Sequence, residues 1–289
     1  MLKDHSFAII FILIILTIAL FGGGNNSGTW FTSGPQTPEQ KQAELERKIQ
    51  NAKNQVDNLS EKIQDEKERS EYAGLVKISS INRSTDPGQE YITINTTSKA
   101  KNILVTGWTI KSLSSGNSIP IPKANYLYFT RSQNTEEDIY LSSNETLYIN
   151  TGYSPIGLSF RINKCTGYLN QFQTFVPYIN NRCPLARNED LSSIPKRVEN
   201  DACFDYIDNI SQCRIQTTDL PIKWSYECKK FISEKINYAS CVDNHKNDLD
   251  FNQHEWRVYL KRDAILWKKS RETVVLYDSI GKVVSKIEY

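Results

Sequence analysis

The spacing of apolar positions changes character along the chain, and each change marks a different kind of element. Residues 7–21 (FAIIFILIILTIALF) are apolar except for Thr17 and follow a short head containing Lys3. As a helix this run spans about 22 Å, and it approaches a hydrocarbon core of roughly 30 Å once Ser6 and residues 22–24 are added. It reads as a membrane anchor over residues 1–24 that leaves the C-terminal bulk outside the cytoplasm, in a single-pass arrangement. A signal peptide and a secreted product are the alternative. A cut after Phe21 would put a large aromatic where a small residue is required, so the segment is expected to be retained. Residues 25–38 (NNSGTWFTSGPQTP) have a flexible-linker composition.

From 39 to 71 neither Gly nor Pro occurs, and Leu45, Ile49, Ala52, Val56, Leu59 and Ile63 recur at steps of 4, 3, 4, 3 and 4. That is a heptad seam with Ile49, Val56 and Ile63 at a and Leu45, Ala52 and Leu59 at d. It predicts either a stalk helix or a coiled coil, with a possible homodimer through 39–66.

From Leu75 onward, short β-branched and aromatic runs alternate with turn residues, as in a β-sandwich or barrel. The expected strands are 75–81, 91–95, 103–112, 126–130, 138–141 and 146–150, then 256–260, 273–277 and 283–289. Asp86-Pro87-Gly88 and the loop 278–282 with its Gly281 supply turns. Between them, 195–213 and 225–242 switch to helical spacing through Cys203, Tyr206, Ile207, Ile210 and through Cys228, Phe231, Ile232, Ile236. A helical hairpin is expected there.

Cys165, Cys183, Cys203, Cys213, Cys228 and Cys241 fall inside this stretch, are even in number and form no CxxC pair. In an exported protein they predict three disulfides. Antiparallel arms would nest them as Cys203 with Cys241 and Cys213 with Cys228, leaving Cys165 with Cys183. No metal ligand set and no cofactor is expected.

Lys and Arg total 35 against 33 Asp and Glu, a balance that offers nucleic acid no footprint. No GxSxG, HExxH or GxxxxGK[ST] motif occurs. The richest polar cluster is Asp243, His245, Asp248, Asp250, His254 and Glu255. It could serve an exported metal-dependent hydrolase, but its two His are nine residues apart and carry no metal-site spacing, so it reads as a solvated loop. No catalytic residue is assigned. Tyr153, Tyr168, Phe172 and Phe175, in a loop-rich stretch fixed by Cys165, are the candidate binding surface.

The runs 80–95 (SINRSTDPGQEYITIN) and 103–112 (ILVTGWTIKS), followed by 147–161 (LYINTGYSPIGLSFR) and 267–289, resemble in order the strands of bacterial lamin-tail-domain proteins. The resemblance covers about 75–163 and 255–289. It implies a mainly β, immunoglobulin-like sandwich over 72–164 and 251–289, interrupted by a Cys-rich helical insert at 165–250. It also implies binding rather than catalysis. Together with the anchor, these features predict a membrane-tethered adhesion or scaffold module facing a protein or an envelope polymer. An accessory subunit of a cell-envelope complex is a further alternative.

Overall fold

A computed structural model describes residues 37–289. The anchor and most of the linker expected from the sequence lie outside the described residues, among which no helix is long and apolar enough to cross a membrane. By internal contacts the chain divides into two compact units after Lys62.

The first helix, α1, runs over Pro38–Glu68. Pro38 suits the first helical turn, where its missing N–H is not needed. Glu39 in the first turn and Lys67 in the last oppose the helix dipole. Glu44 and Lys48 pair across one turn at 2.8 Å, and Gln50 donates to Asn54 at 3.0 Å. From residue 41 to 68 every side chain except that of Glu44 is exposed, the heptad seam included.

The rest is a mixed helix and sheet structure with several sheets and three disulfides. Its strands are β1 (Val76–Asn82), β2 (Tyr91–Thr96), β3 (Ile103–Leu104), β4 (Thr109–Ser112), β5 (Ser118–Pro120), β6 (Ala124–Asn125) and β7 (Glu136–Glu137). Then follow β8 (Tyr140–Leu141), β9 (Thr146–Asn150), β10 (Phe160–Asn163), β11 (Asn252–Tyr259), β12 (Thr273–Tyr277) and β13 (Val283–Glu288). One sheet has the order β1-β2-β9-β11-β10-β6-β7, a second β13-β12-β4-β5, and β3 pairs with β8 alone. Inward residues of the two larger sheets share one core. Ile92, Ile94, Leu147, Ile149, Trp256 and Val258 come from the first, and Trp108, Ile110, Val274, Leu276 and Val284 from the second. β12, which lies between β13 and β4, buries Val274, Val275 and Leu276 in succession.

Three expected strands differ, and of one, 138–141, only Tyr140–Leu141 is strand. The run 103–112 is two strands, because Gly107 at φ 82° turns the chain between β3 and β4. The run 126–130 has no strand: Leu127, Tyr128 and Phe129 leave the sheet and pack on the cysteine-rich core. Gly281 holds the final hairpin at φ 80°, as its position demands.

β10 and β11 are antiparallel neighbours, paired at Phe160 with Arg257 and Arg161 with Trp256. Beyond them Lys164 N–H donates to Phe251 C=O at 2.8 Å. The chain between them thus leaves and rejoins the sheet through a two-stranded neck. It forms 3-10 turns at Thr166–Gln171, Ala186–Asn188 and Val198–Asn200, then α2 (Asp201–Asn209), α3 (Tyr226–Lys235) and α4 (Tyr238–His245). It buries its own core of Ile194, Ile207, Phe231, Ile232, Val242 and the six half-cystines.

All six cysteines pair, but not in the nested order: the bridges are Cys165–Cys241, Cys183–Cys213 and Cys203–Cys228. Expecting two helices is what misplaces the partners. The second breaks at Ile236, and Asn237 caps a new helix through its side chain, which accepts from Ser240 N–H. The break re-aims Cys241 away from Cys203 and toward Cys165 at the neck. Cys213 lies past the end of α2 with φ 58°, which turns it to Cys183 and leaves Cys203 and Cys228 to meet on the buried faces of α2 and α3.

Candidate functional site

The four aromatics expected to form a binding surface separate in the structure. Tyr153 and Phe172 are each 58 % exposed, whereas Tyr168 and Phe175 are buried. Tyr168 sits in the turn that follows Cys165, inside the disulfide core. Burial pushes its phenol up to about 12. Phe175 meets Phe160 edge-on, with centroids 5.9 Å apart. Rigid loops around a disulfide bury their aromatics when the loop has a core of its own to fill, and this one does. Tyr153 stays outside with its hydroxyl 3.3 Å from Asp263, whose charge raises the phenol's pKa.

The polar cluster at 243–255 is engaged by the chain's own cations. Lys164 Nζ lies 3.0 Å from Asp248 and 2.5 Å from Asp250. His245 Nδ1 is 2.8 Å from Asp248, and its Nε2 is 2.9 Å from Glu189. Burial opposes the imidazolium, but the bonds to Glu189 and Asp248 outweigh it and lift the pKa of His245. The same bonds, with those from Lys164, hold Asp248 and Asp250 below the usual carboxylate range. Asp243 pairs with Arg131, and Glu255 with Arg257. Among the described residues no three His, Cys, Asp or Glu side chains are placed to share a metal ion.

Buried carboxylates elsewhere hold loops. Glu90 accepts from Leu266 N–H at 2.8 Å, Trp267 N–H at 3.2 Å and the Thr151 hydroxyl at 2.6 Å. Glu272 accepts from Ser112 Oγ–H at 2.8 Å and from the N–H groups of Ser114 and Thr273. Burial raises the pKa of Glu272, but these donors overcome that and leave it lowered.

An open cleft of about 730 Å³ has walls that include Tyr126, Tyr140, Glu136, Glu137, Arg161 and His254. Tyr126 and Tyr140 are 45 % and 43 % exposed. Arg161 lies on β10 with its guanidinium fixed on every side. Nη2 is 2.5 Å from the buried Glu145, Nη1 donates to Tyr126 Oη at 3.0 Å, and Nε donates to Gln253 C=O at 3.2 Å. Its Cζ stands 5.1 Å from the Tyr126 ring and 5.4 Å from the Trp256 ring. Sheet strands therefore pre-set one wall of the cleft, while β7 and β8 bring acidic and aromatic side chains to it. Such a surface can stack rings on a flat ligand face and accept hydrogen bonds from hydroxyls or amines. The sequence reading missed it. Its residues come from segments scattered between 102 and 254; the sequence reads Tyr126 and Tyr140 only as strand residues and His254 only as part of the 243–255 cluster, with nothing to bring them together.

No protein-family model matches the chain, and no curated protein matches it. The fold is that of a disulfide-stabilised, mixed helix and sheet domain with several sheets, and it carries this open cleft.

Proposed function

We propose that the chain is a non-enzymatic, membrane-tethered module that displays its β-rich head outside the cytoplasm and binds an envelope polymer through the cleft around Tyr126 and Tyr140. The cleft carries this reading, because it is the place where exposed aromatics, carboxylates and a pre-set guanidinium converge on rigid strands. The apolar run 7–21 supplies the tether, and three disulfides fit an oxidising compartment. The order of strand motifs supports a lamin-tail-like, immunoglobulin-like sandwich as the head, with 165–250 as an insert. The two-sheet core and the neck between β10 and β11 agree with that reading. The parallel pairing of β9 with β11 is a departure from a purely antiparallel sandwich. Engagement of the 243–255 carboxylates by Lys164, Arg131 and His245 favours binding over hydrolysis.

The test is co-sedimentation of the intact protein, in detergent, with isolated envelope polymer. Wild type should pellet with the polymer, and a Tyr126→Ala, Tyr140→Ala variant should stay in the supernatant. Equal pelleting of both, or of neither, would remove the cleft from the reading. Release of soluble fragments from the polymer in the same incubation would instead identify a hydrolase.

A further inference from the structure

The exposed seam of α1 is a surface with a definite electrostatic preference. Leu45, Ile49, Val56 and Leu59 are 55 %, 59 %, 49 % and 51 % exposed, so a stripe of large aliphatic side chains runs exposed along the helix. A second helix laid along it would be selected by the e and g positions that flank it. With Ile49 and Val56 at a, those positions are Lys41, Lys48, Gln55 and Lys62 at g and Glu39, Glu46, Lys53, Ser60 and Lys67 at e. Five of these nine are lysines and two are acidic. Of the helix's other acidic residues, Glu44, Asp57, Glu61, Asp65 and Glu68 fall at b, c and f, and Glu66 falls at d, past the end of the aliphatic stripe.

That distribution works against a second copy. In a parallel pair each g residue faces the e residue five positions on in its partner, which sets Lys48 against Lys53 and Lys62 against Lys67. Lys41 against Glu46 is the single favourable match. An antiparallel pair with Ile49 opposite Leu59 sets g against g and e against e, so that Lys48 meets Lys62 and Lys53 meets its own copy. Like charges so placed act as a repulsive element against self-association.

We infer that the stalk seam binds a helix of a different protein, one with aliphatic a and d positions and Glu or Asp at its e and g positions. This goes beyond display of the head, because it gives the chain a second, independent attachment. An acidic partner would turn each Lys–Lys contact into an opposite-charge contact while burying the same aliphatic stripe. Glu46 is the one acidic position beside the aliphatic stripe where such a partner would carry a basic residue, Glu39 lying in the first turn before it.

The experiment uses the intact chain in detergent micelles and two synthetic helices with Ile or Val at a and Leu at d. One helix carries Glu at every e and g position, the other Lys. The chain alone should sediment as a monomer at micromolar concentration. It should bind the Glu helix about tenfold or more tighter than the Lys helix, because several exposed ion pairs each contribute a fraction of the 1.4 kcal/mol that makes a factor of ten. A Lys48→Glu, Lys53→Glu, Lys62→Glu variant alters only exposed positions and should reverse that preference. Its head should melt unchanged. A chain that dimerises alone, and loses the dimer on Val56→Asp, would overturn the inference in favour of a second copy. Equal binding of both helices, or of neither, would overturn it as well. None of these outcomes depends on the cleft, so failure here and failure of polymer binding are separable.

Discussion

Arg257→Met tests whether one buried cation clamps the sheet to the inserted chain at Pro177 and Tyr178, beside the apolar cluster that Phe175 and Ile179 share with Phe160, Ile162 and Tyr259. Arg257 is 2 % exposed. From β11 it reaches into the inserted chain, donating through Nη1 to Pro177 C=O at 2.6 Å and through Nη2 to Tyr178 C=O at 3.3 Å. Its Nε donates to Glu255 at 2.7 Å, and its Cζ stands 4.3 Å from the Tyr148 ring. Methionine keeps most of the stem volume and removes every donor. Each hydrogen bond from a charged donor contributes about 1.5–3 kcal/mol, and carbonyls left without a partner in the interior cost a further 1–3 kcal/mol each. Relief of the guanidinium's own desolvation offsets part of this. The usual result of removing one member of a buried pair is a loss of about 3–5 kcal/mol. That loss should be read from urea unfolding of the intact chain, followed by far-ultraviolet circular dichroism at constant pH. Arg257→Lys, which keeps the charge but not the planar fork, should lose roughly half as much. A loss below about 1 kcal/mol for Arg257→Met would refute the clamp, because ordinary surface substitutions stay within about half that.

A Cβ on Gly167 would lie 2.3 Å from the Cys213 sulfur, so Gly167→Ala should cost about 1–3 kcal/mol by overpacking and leave part of the protein with the Cys183–Cys213 bridge unmade; an unchanged urea midpoint would contradict the contact. Denatured, unreduced protein should show no free thiol, and non-reducing peptide mapping should recover Cys165 joined to Cys241, with a Cys203–Cys241 peptide as the contrary result. Removing that bridge by Cys165→Ser with Cys241→Ser opens a loop of 76 residues and should cost about 4 kcal/mol in urea unfolding. The pKa of His245 is raised from 6.5 by its carboxylate partners, so its contribution is fully present below the unfolded value and is lost as pH rises through the folded one. The stability gap between wild type and His245→Gln should be open near about pH 5.5 and closed near about pH 8.5. A gap that widens with pH would reverse the sign and refute the pairing.

What could be read from the sequence was whatever depended on period. The runs at 91–95, 146–150 and 273–277 match strands because they are short and rich in strand-forming residues, of which Ile92 and Ile94, Leu147 and Ile149, and Val274 and Leu276 face one shared core. The heptad steps foretold a helix of nearly the observed length. β10 escaped notice because Phe160–Asn163 is four residues long and follows the turn-rich TGYSPIG, so its period is too short to register. Leu127, Tyr128 and Phe129 have a strand's composition, yet they are claimed by the disulfide core, and composition cannot tell which core takes an aromatic. Cysteine partners depend on where helices break, and Asn237 gives that signal only to someone who already knows a helix ends at Ile236. The cleft was least legible, since Arg161 gains its role from Glu145, Tyr126 and Trp256, whose meeting is a product of sheet order.

The neck between β10 and β11 has a mechanical consequence. A ligand held by the cysteine-rich module and pulled away from the sheet would load β10 and β11 at adjacent ends, the geometry in which strands unzip one pair at a time. The bridge from Cys165 to Cys241 sits just past that neck, so it sets how far the chain can then run out. Without it, the chain from 165 to 250 could be drawn out as far as the bridges Cys183–Cys213 and Cys203–Cys228 allow, a path of about 50 residues or roughly 170 Å of contour at about 3.4 Å per residue. With it, the slack is confined to the residues between 242 and 250, about 30 Å. Under load the module would behave as a short tether with a hard stop, keeping its folded core on the line of force after the neck has opened.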